Sequence, residues 1–180
     1  MRLFIAVPIS AKAKDQLVDL QQPIEGVRWE PKDKLHLTIK FLGDTASKQV
    51  RCLQQQLGTI QQAAFSLSLQ GMGYFPKGKQ PKVLWAGVKK SQQLIDLHHK
   101  VEKVCTGMGF DADSRPFKPH ITLGRINGVP KRDMMSFINE HKQFRIPELP
   151  VHEFVLYESK LDSTGAKHSR VETFSLPSTD

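Results

Sequence analysis

The chain has 180 residues, of which 26 are Lys or Arg and 18 are Asp or Glu, so its net charge is +8; 39% of it is hydrophobic. This composition excludes a disordered, collagenous or coiled-coil chain and supplies enough apolar surface for a buried core. No apolar run approaches the roughly 18 residues of a membrane span, and two cysteines are too few for a disulfide framework. The N-terminal MRLFIAVPIS has one basic residue and reads as a strand, not a signal peptide, so the expected setting is the cytoplasm.

Arg2 to Val7 is an apolar run of strand length. Ser10 can cap a helix whose stripe is Ala13, Leu17 and Leu20, ended by Pro23 and Gly26. Val27 to Trp29 can form a short strand. Leu35 to Gly43 alternates and is rich in branched and aromatic residues, which predicts a strand. Asp44, Thr45 and Ser47 offer N-caps for a second helix with Val50, Leu53, Leu57, Ile60 and Ala64 on one face. Phe65 to Phe75 alternates again, Lys77 to Pro81 is a turn, and Val83 to Val88 is the returning strand. Ser91 can cap a third helix, striped by Leu94, Leu97, His98, Val101, Val104 or Cys105, and Met108; Gly107 and Gly109 stop it. His120 to Ile126 predicts a strand and Arg132 to His141 a short helix. Glu153 to Tyr157 and Val171 to Leu176 are two last strands around a turn at Asp162 to Gly165. Hairpins and short loops point to an α+β fold with largely antiparallel sheets and against a doubly wound parallel sheet. No Gly-rich phosphate loop is present.

The charge is uneven. Residues 1–90 carry 14 basic and 6 acidic side chains, and residues 91–180 carry 12 of each. The densest basic stretch is Lys77, Lys79, Lys82, Lys89 and Lys90. Such a half attracts polyanions and makes their binding salt-dependent, although a merely solvated surface has the same composition.

HLTIKFLG (residues 36–43) and HITLGR (residues 120–125) share a pattern: His, aliphatic, Thr, aliphatic. On a strand, residues i and i+2 point to one face, so His36 and Thr38 share a face, as do His120 and Thr122. One such triplet is common by chance; two within predicted strands are not. Displacement at a phosphodiester needs a base for the attacking water and an acid for the leaving alkoxide, and imidazole serves as either near neutral pH. Threonine hydroxyls can donate hydrogen bonds to the non-bridging oxygens. No metal is needed if the ester is a strained five-membered cyclic phosphate. Strict alternation puts Arg125 on the face opposite His120, unless the strand bulges near Gly124. One protonated and one neutral imidazole predict a bell-shaped pH profile.

These residues resemble the two-histidine (2H) phosphoesterases, in the branch of the RNA 2′,3′-cyclic phosphodiesterases, historically called 2′-5′ RNA ligases. The resemblance runs over nearly the whole chain, through residues 2–7, 36–43, 81–88, 117–125 and 157–176. It implies one domain over residues 1–180, with two pseudo-symmetric lobes of largely antiparallel sheet, helices packed outside and the active-site cleft between the lobes. It implies hydrolysis of a 2′,3′-cyclic phosphate at an RNA 3′ end to a 2′-phosphate, without metal or cofactor. His36 would be the proton donor and His120 the proton acceptor, while Thr38, Thr122 and Arg125 hold the phosphate. The partner would be an RNA 3′ end or oligonucleotide with a cyclic phosphate, met by a monomer away from any membrane. Alternatives are the reverse ligation, a small cyclic nucleotide or a 2′-5′ oligoadenylate as substrate, and a non-catalytic RNA-binding module. Two complete histidine motifs weigh against the last, since phosphate binding alone would favour Arg and Lys. One departure is that His168 stands where the family usually has an aromatic, commonly Tyr.

His98, His99, His141 and His152 fit packing or surface positions and no zinc spacing. Cys52 and Cys105 lie beside helix stripes and are expected as buried thiols. Lys40 shares the alternation face of His36 and Thr38, so it belongs at the cleft edge or in solvent. Trp29, Phe75 and Trp85 could stack a base; Trp85 suits the core better, and Tyr74 and Phe75 adjoin the basic turn.

Overall fold

The structure, a computed structural model, describes residues 1–163 and 165–178, with the side chain of Asp162 left aside. The expected turn at Asp162 to Gly165 therefore lies partly outside the described residues, at Thr164. In chain order the elements are β1 (Arg2–Pro8), α1 (Ala11–Val18), β2 (Val27–Trp29), a 3-10 turn (Lys32–Lys34), β3 (His36–Asp44), α2 (Ser47–Leu57), β4 (Phe65–Lys77) and β5 (Gln80–Val88). They continue with α3 (Gln92–Gly107), β6 (His120–Ile126), α4 (Lys131–Glu140), β7 (Arg145–Val151), β8 (Glu153–Asp162) and β9 (Gly165–Ser175). The fold is α+β, as the hairpin-rich sequence predicts.

The strands order as β7-β4-β5-β6-β3-β1-β8-β9, with β2 alongside β6, and the pairings are antiparallel. Between β3 and β6 the ladder holds a single pair among the described residues, Leu37 with Ile121. The sheet is therefore two four-stranded lobes joined at a narrow seam, with the short β2 added beside β6. One lobe (β3, β1, β8, β9) is drawn from both ends of the chain, and the other (β6, β5, β4, β7) from its middle.

The helices cover the core face of these strands. Val50, Leu53 and Leu57 of α2 and Leu94, Leu97, Val101 and Cys105 of α3 are buried with Leu37, Ile39, Leu84, Ile121 and Leu123. Each fully buried leucine contributes about 2 kcal/mol in area removed from water. Ser10 and Ser91 cap α1 and α3 by accepting from the Ala13 and Leu94 amides. At α2 the expected side-chain cap is absent: Ala46 holds the cap position and Ser47 is the first helical residue. This helix also stops at Leu57, and Ile60 and Ala64 reach the core from the following loop.

Strand β7 has no counterpart among the elements expected from the sequence. Its residues, RIPELPV, include two prolines, and proline reads as a breaker because it cannot donate to a ladder. Here it is tolerated because β7 is an edge strand that pairs with β4 alone among the described residues.

Candidate active site

Leu37 and Ile121 are both fully buried and face each other across the seam. Alternation then turns their neighbours to the opposite face. His36 and Thr38 from β3 meet His120 and Thr122 from β6 there, and all four are half-buried. The two motifs run antiparallel about the Leu37–Ile121 pair, so an approximate local twofold relates them. Two adjoining cavities open above them. One, of about 280 Å³, is lined by His36, Thr38, Thr122, Arg125, Phe4 and His168 among others. The second, of about 530 Å³, is lined by Thr38, His120, Phe41, Phe75 and Arg115 among others.

Strict alternation fails after each threonine, and it fails the same way twice. Thr38 and Lys40 of β3 lie opposite the consecutive residues Ala6 and Ile5, and Thr122 and Gly124 of β6 lie opposite Trp85 and Leu84. Each strand thus carries an extra residue, a β-bulge, at the third position after its histidine, and β3 carries a second one at Leu42. Both strands consequently show the same burial sequence over their first six residues. The bulge turns Lys40 and Gly124 inward and brings Phe41 and Arg125 to the cleft. Arg125 thereby joins the cavity of His36, and its Nε donates to Glu30 Oε1 at 3.4 Å.

Lys40 lines the wall of the His120 cavity, as the cleft reading expects, but is not in solvent. It is 2% exposed, and its Nζ lies 2.6 Å from Glu102 Oε2 and 3.1 Å from Asp113 Oδ1. Phe41, which strict alternation would put on the core face with Leu37 and Ile39, is instead 71% exposed in the cleft mouth. Trp29 does not face the cleft: it packs edge-on to Phe137 and donates from Nε1 to the Gln22 carbonyl. Trp85 is half-buried and stands beside His120, their ring centroids 6.4 Å apart. Gly73 makes the room for it, since a Cβ there would lie 2.3 Å from the indole. Phe75 contacts His120 edge-on at 4.7 Å, while Tyr74 packs against the core. Cys52 is exposed, contrary to expectation, and Cys105 is buried, which pushes its thiol up to about 12 and leaves it inert.

Sequence reasoning misses Phe4, Tyr157 and the placement of His168. The His36 ring lies 5.0 Å from Phe4, 6.2 Å from Tyr157 and 5.4 Å from His168, so three aromatic rings wall it in. Phe4 sits in an apolar run that reads as buried throughout. Tyr157 and His168 reach the site only through the pairing of β1 with β8 and of β8 with β9.

Burial first, and the adjacent His168 second, pull His36 down to about 4, against a backbone hydrogen bond at Lys34 that favours its charged form. His120 is also lowered, chiefly by burial. Its Nδ1 lies 2.6 Å from the Lys118 carbonyl. A carbonyl only accepts, so Nδ1 carries the proton and Nε2 keeps its lone pair. His168 is lowered by burial and by Lys34, while Glu30 and Asp33 oppose this. Burial thus disfavours the charged form of all three imidazoles.

Among the described residues, one group could bring three metal-ligating atoms together: His98, Glu102 and Asp113. The Lys40 ammonium already lies against both carboxylates of that group, so it fits an internal ion-pair network better than a metal ion.

A model of the family described as "LigT like Phosphoesterase" matches residues 7–85 and again residues 87–167. The chain belongs to the LigT-like phosphoesterases. By that membership it is a hydrolase of phosphoester bonds. A Geobacillus stearothermophilus protein named RNA 2′,3′-cyclic phosphodiesterase is 31% identical over 183 residues, which cover 96% of this chain and 56% of that protein. The chain thus spans little more than half the length of that relative. An Archaeoglobus fulgidus protein of the same name is 28% identical over 178 residues, covering 97% of this chain and 99% of its own. Among solved structures, a Thermus thermophilus protein superposes with a TM-score of 0.81 at 28% identity over the full length of both chains. E. coli LigT complexed with 3′-AMP superposes at 0.79 and 27% identity, covering 97% of each chain. The two matched segments divide this LigT-like chain into sequential halves, each carrying one His-x-Thr motif.

Proposed function

We propose that the protein opens a ribose 2′,3′-cyclic phosphate at an RNA 3′ end with water, leaving a 2′-phosphate. One observation carries this reading: the single Leu37–Ile121 pair that sets two His-x-Thr faces side by side over one cleft. His120 Nε2, free to accept because Nδ1 is bonded to Lys118, takes a proton from water as its oxygen attacks phosphorus. The P–O3′ bond breaks and His36 protonates the departing O3′. Thr38 and Thr122 donate to the non-bridging oxygens, and the Arg125 guanidinium balances the charge that builds there. Water is consumed, a phosphate monoester forms, and exchange with solvent returns each imidazole to its starting state. The chemistry uses no metal and no cofactor. One chain supplies both motifs, which supports a monomer, and two free thiols suit a cytoplasmic setting. The names of the relatives support the RNA substrate.

The test is incubation of the protein, in EDTA, with a short RNA ending in a 2′,3′-cyclic phosphate, followed by chromatography that resolves 2′- from 3′-phosphate. The wild type yields the 2′-phosphate, while His36→Ala and His120→Ala each lose at least about 100-fold in turnover and keep the fold. A 3′-phosphate would reverse the assignment of the leaving oxygen. Unchanged RNA would remove the activity and leave a binding protein.

A further inference from the structure

We propose that Lys40 is a positioning residue for His120, acting through a buried lock that fixes the segment leading into β6. Lys40 stands four residues after His36, buried under α3 at the wall of the His120 cavity. There its Nζ donates to the Asp111 carbonyl at 3.0 Å and to Asp113 Oδ1 at 3.1 Å, and pairs with Glu102 Oε2 at 2.6 Å. Glu102 holds the same segment a second time, its Oε1 accepting from the Asp113 amide at 2.8 Å. Four residues on, Phe117 stacks on His98 of α3, the ring centroids 4.0 Å apart and nearly parallel. The Lys118 carbonyl then accepts from His120 Nδ1 at 2.6 Å. Residues 111–118 are thus pinned at their start by Lys40 and Glu102, near their end by His98, and at their end by the imidazole they orient. Asp113, Arg115 and Phe117 of this segment also line the cavity of His120.

The charges around the lock are Glu102, Asp113 and His98, with the Cys105 thiol beneath; those facing His120 are Arg125, Arg115, Lys118 and His36. Burial opposes the Lys40 charge, but its two carboxylate partners outweigh it and raise its pKa, so the lock stays closed over the working pH range. Removing the ammonium would release residues 111–113 and let the Lys118 carbonyl drift from His120. That bond favours the protonated imidazole, so its loss lowers the midpoint of His120.

This positioning matters for catalysis on the reading in which His120 takes the proton. Its test is therefore read on His120 itself, by nitrogen-15 NMR of the ring in wild type, Lys40→Met and Lys40→Met/Glu102→Gln/Asp113→Asn. The triple variant leaves no buried carboxylate unpaired and carries the test if Lys40→Met does not fold. In the folded variants the protected Nδ1 proton of His120 is lost, its midpoint falls by about half a pH unit, and kcat drops about tenfold or more with KM little changed. A lower melting temperature with the Nδ1 signal and midpoint of His120 unchanged would overturn the lock. A changed His120 signature with unchanged turnover would uphold the lock and overturn the role given to His120.

Discussion

At the scale of single residues, the two imidazoles are set up differently. His120 has its tautomer fixed by a backbone carbonyl, whereas burial and His168 hold His36, the proposed donor, down at about 4, so its neutral form prevails at neutral pH. Its proton has to arrive with the phosphate, whose negative charge raises the midpoint. Binding of inorganic phosphate or substrate near pH 6 should therefore take up a proton and weaken as pH rises. Calorimetry in buffers of different ionisation enthalpy measures the uptake, and zero uptake between pH 5 and 7 would remove His36 as the donor. His168→Gln should raise the His36 midpoint in the free protein, because His168 now opposes its charge. The two histidines and two threonines are legible in the sequence because their type and spacing carry the chemistry. His168 is visible as a departure from the family pattern, but its place 5.4 Å from His36 depends on pairing between strands far apart in sequence.

At the scale of elements, the bulges decide the site. They sit one residue past each threonine, and without them Arg125 would point into the core. Sequence alternation assumes an unbroken pleat, so it puts Phe41 in the core and leaves Lys40 exposed, whereas Phe41 is exposed and Lys40 is buried at the cavity wall. For Arg125 the glycine beside it gives the hint, since glycine weakens a regular strand. The capping serines locate the starts of α1 and α3 because those signals are local, although α1 ends at Val18, before Leu20 and Pro23. The edge strand β7 is hidden because its prolines are allowed only by its position in the sheet. The close packing beside His120 gives a further check. Gly73→Ala places a Cβ where the Trp85 ring now lies, with too little space for both. It should cost about 1–3 kcal/mol of stability, shift the tryptophan emission and reduce turnover. An unchanged emission spectrum and melting temperature would mean that the ring moves aside without consequence.

At the scale of the molecule, the basic excess of the first half reaches the site along one hairpin. Phe75 lines the cavity of His120, and Lys77 and Lys79 stand exposed just beyond it at the β4–β5 turn. An oligonucleotide long enough to reach that turn would bind with counterion release, and a single nucleotide would not. KM for a cyclic-phosphate oligonucleotide should rise severalfold between about 50 and 200 mM salt, with little change for a cyclic mononucleotide. Equal salt responses would leave the basic hairpin outside the binding surface. The two-lobed plan is legible only through the family resemblance, because the lobes do not follow the sequential repeat. Apart from the short β2, the His120 lobe is one continuous stretch, whereas the His36 lobe needs β8 and β9 to flank β1. That arrangement has a consequence during synthesis on the ribosome. The middle lobe can pair its own strands as soon as β7 emerges, but β1 and β3 wait with an open edge for the last stretch of the chain. Until that stretch is made, the wall of Tyr157 and His168 is missing from His36. A nascent chain therefore carries both histidine motifs well before it has a finished cleft around them.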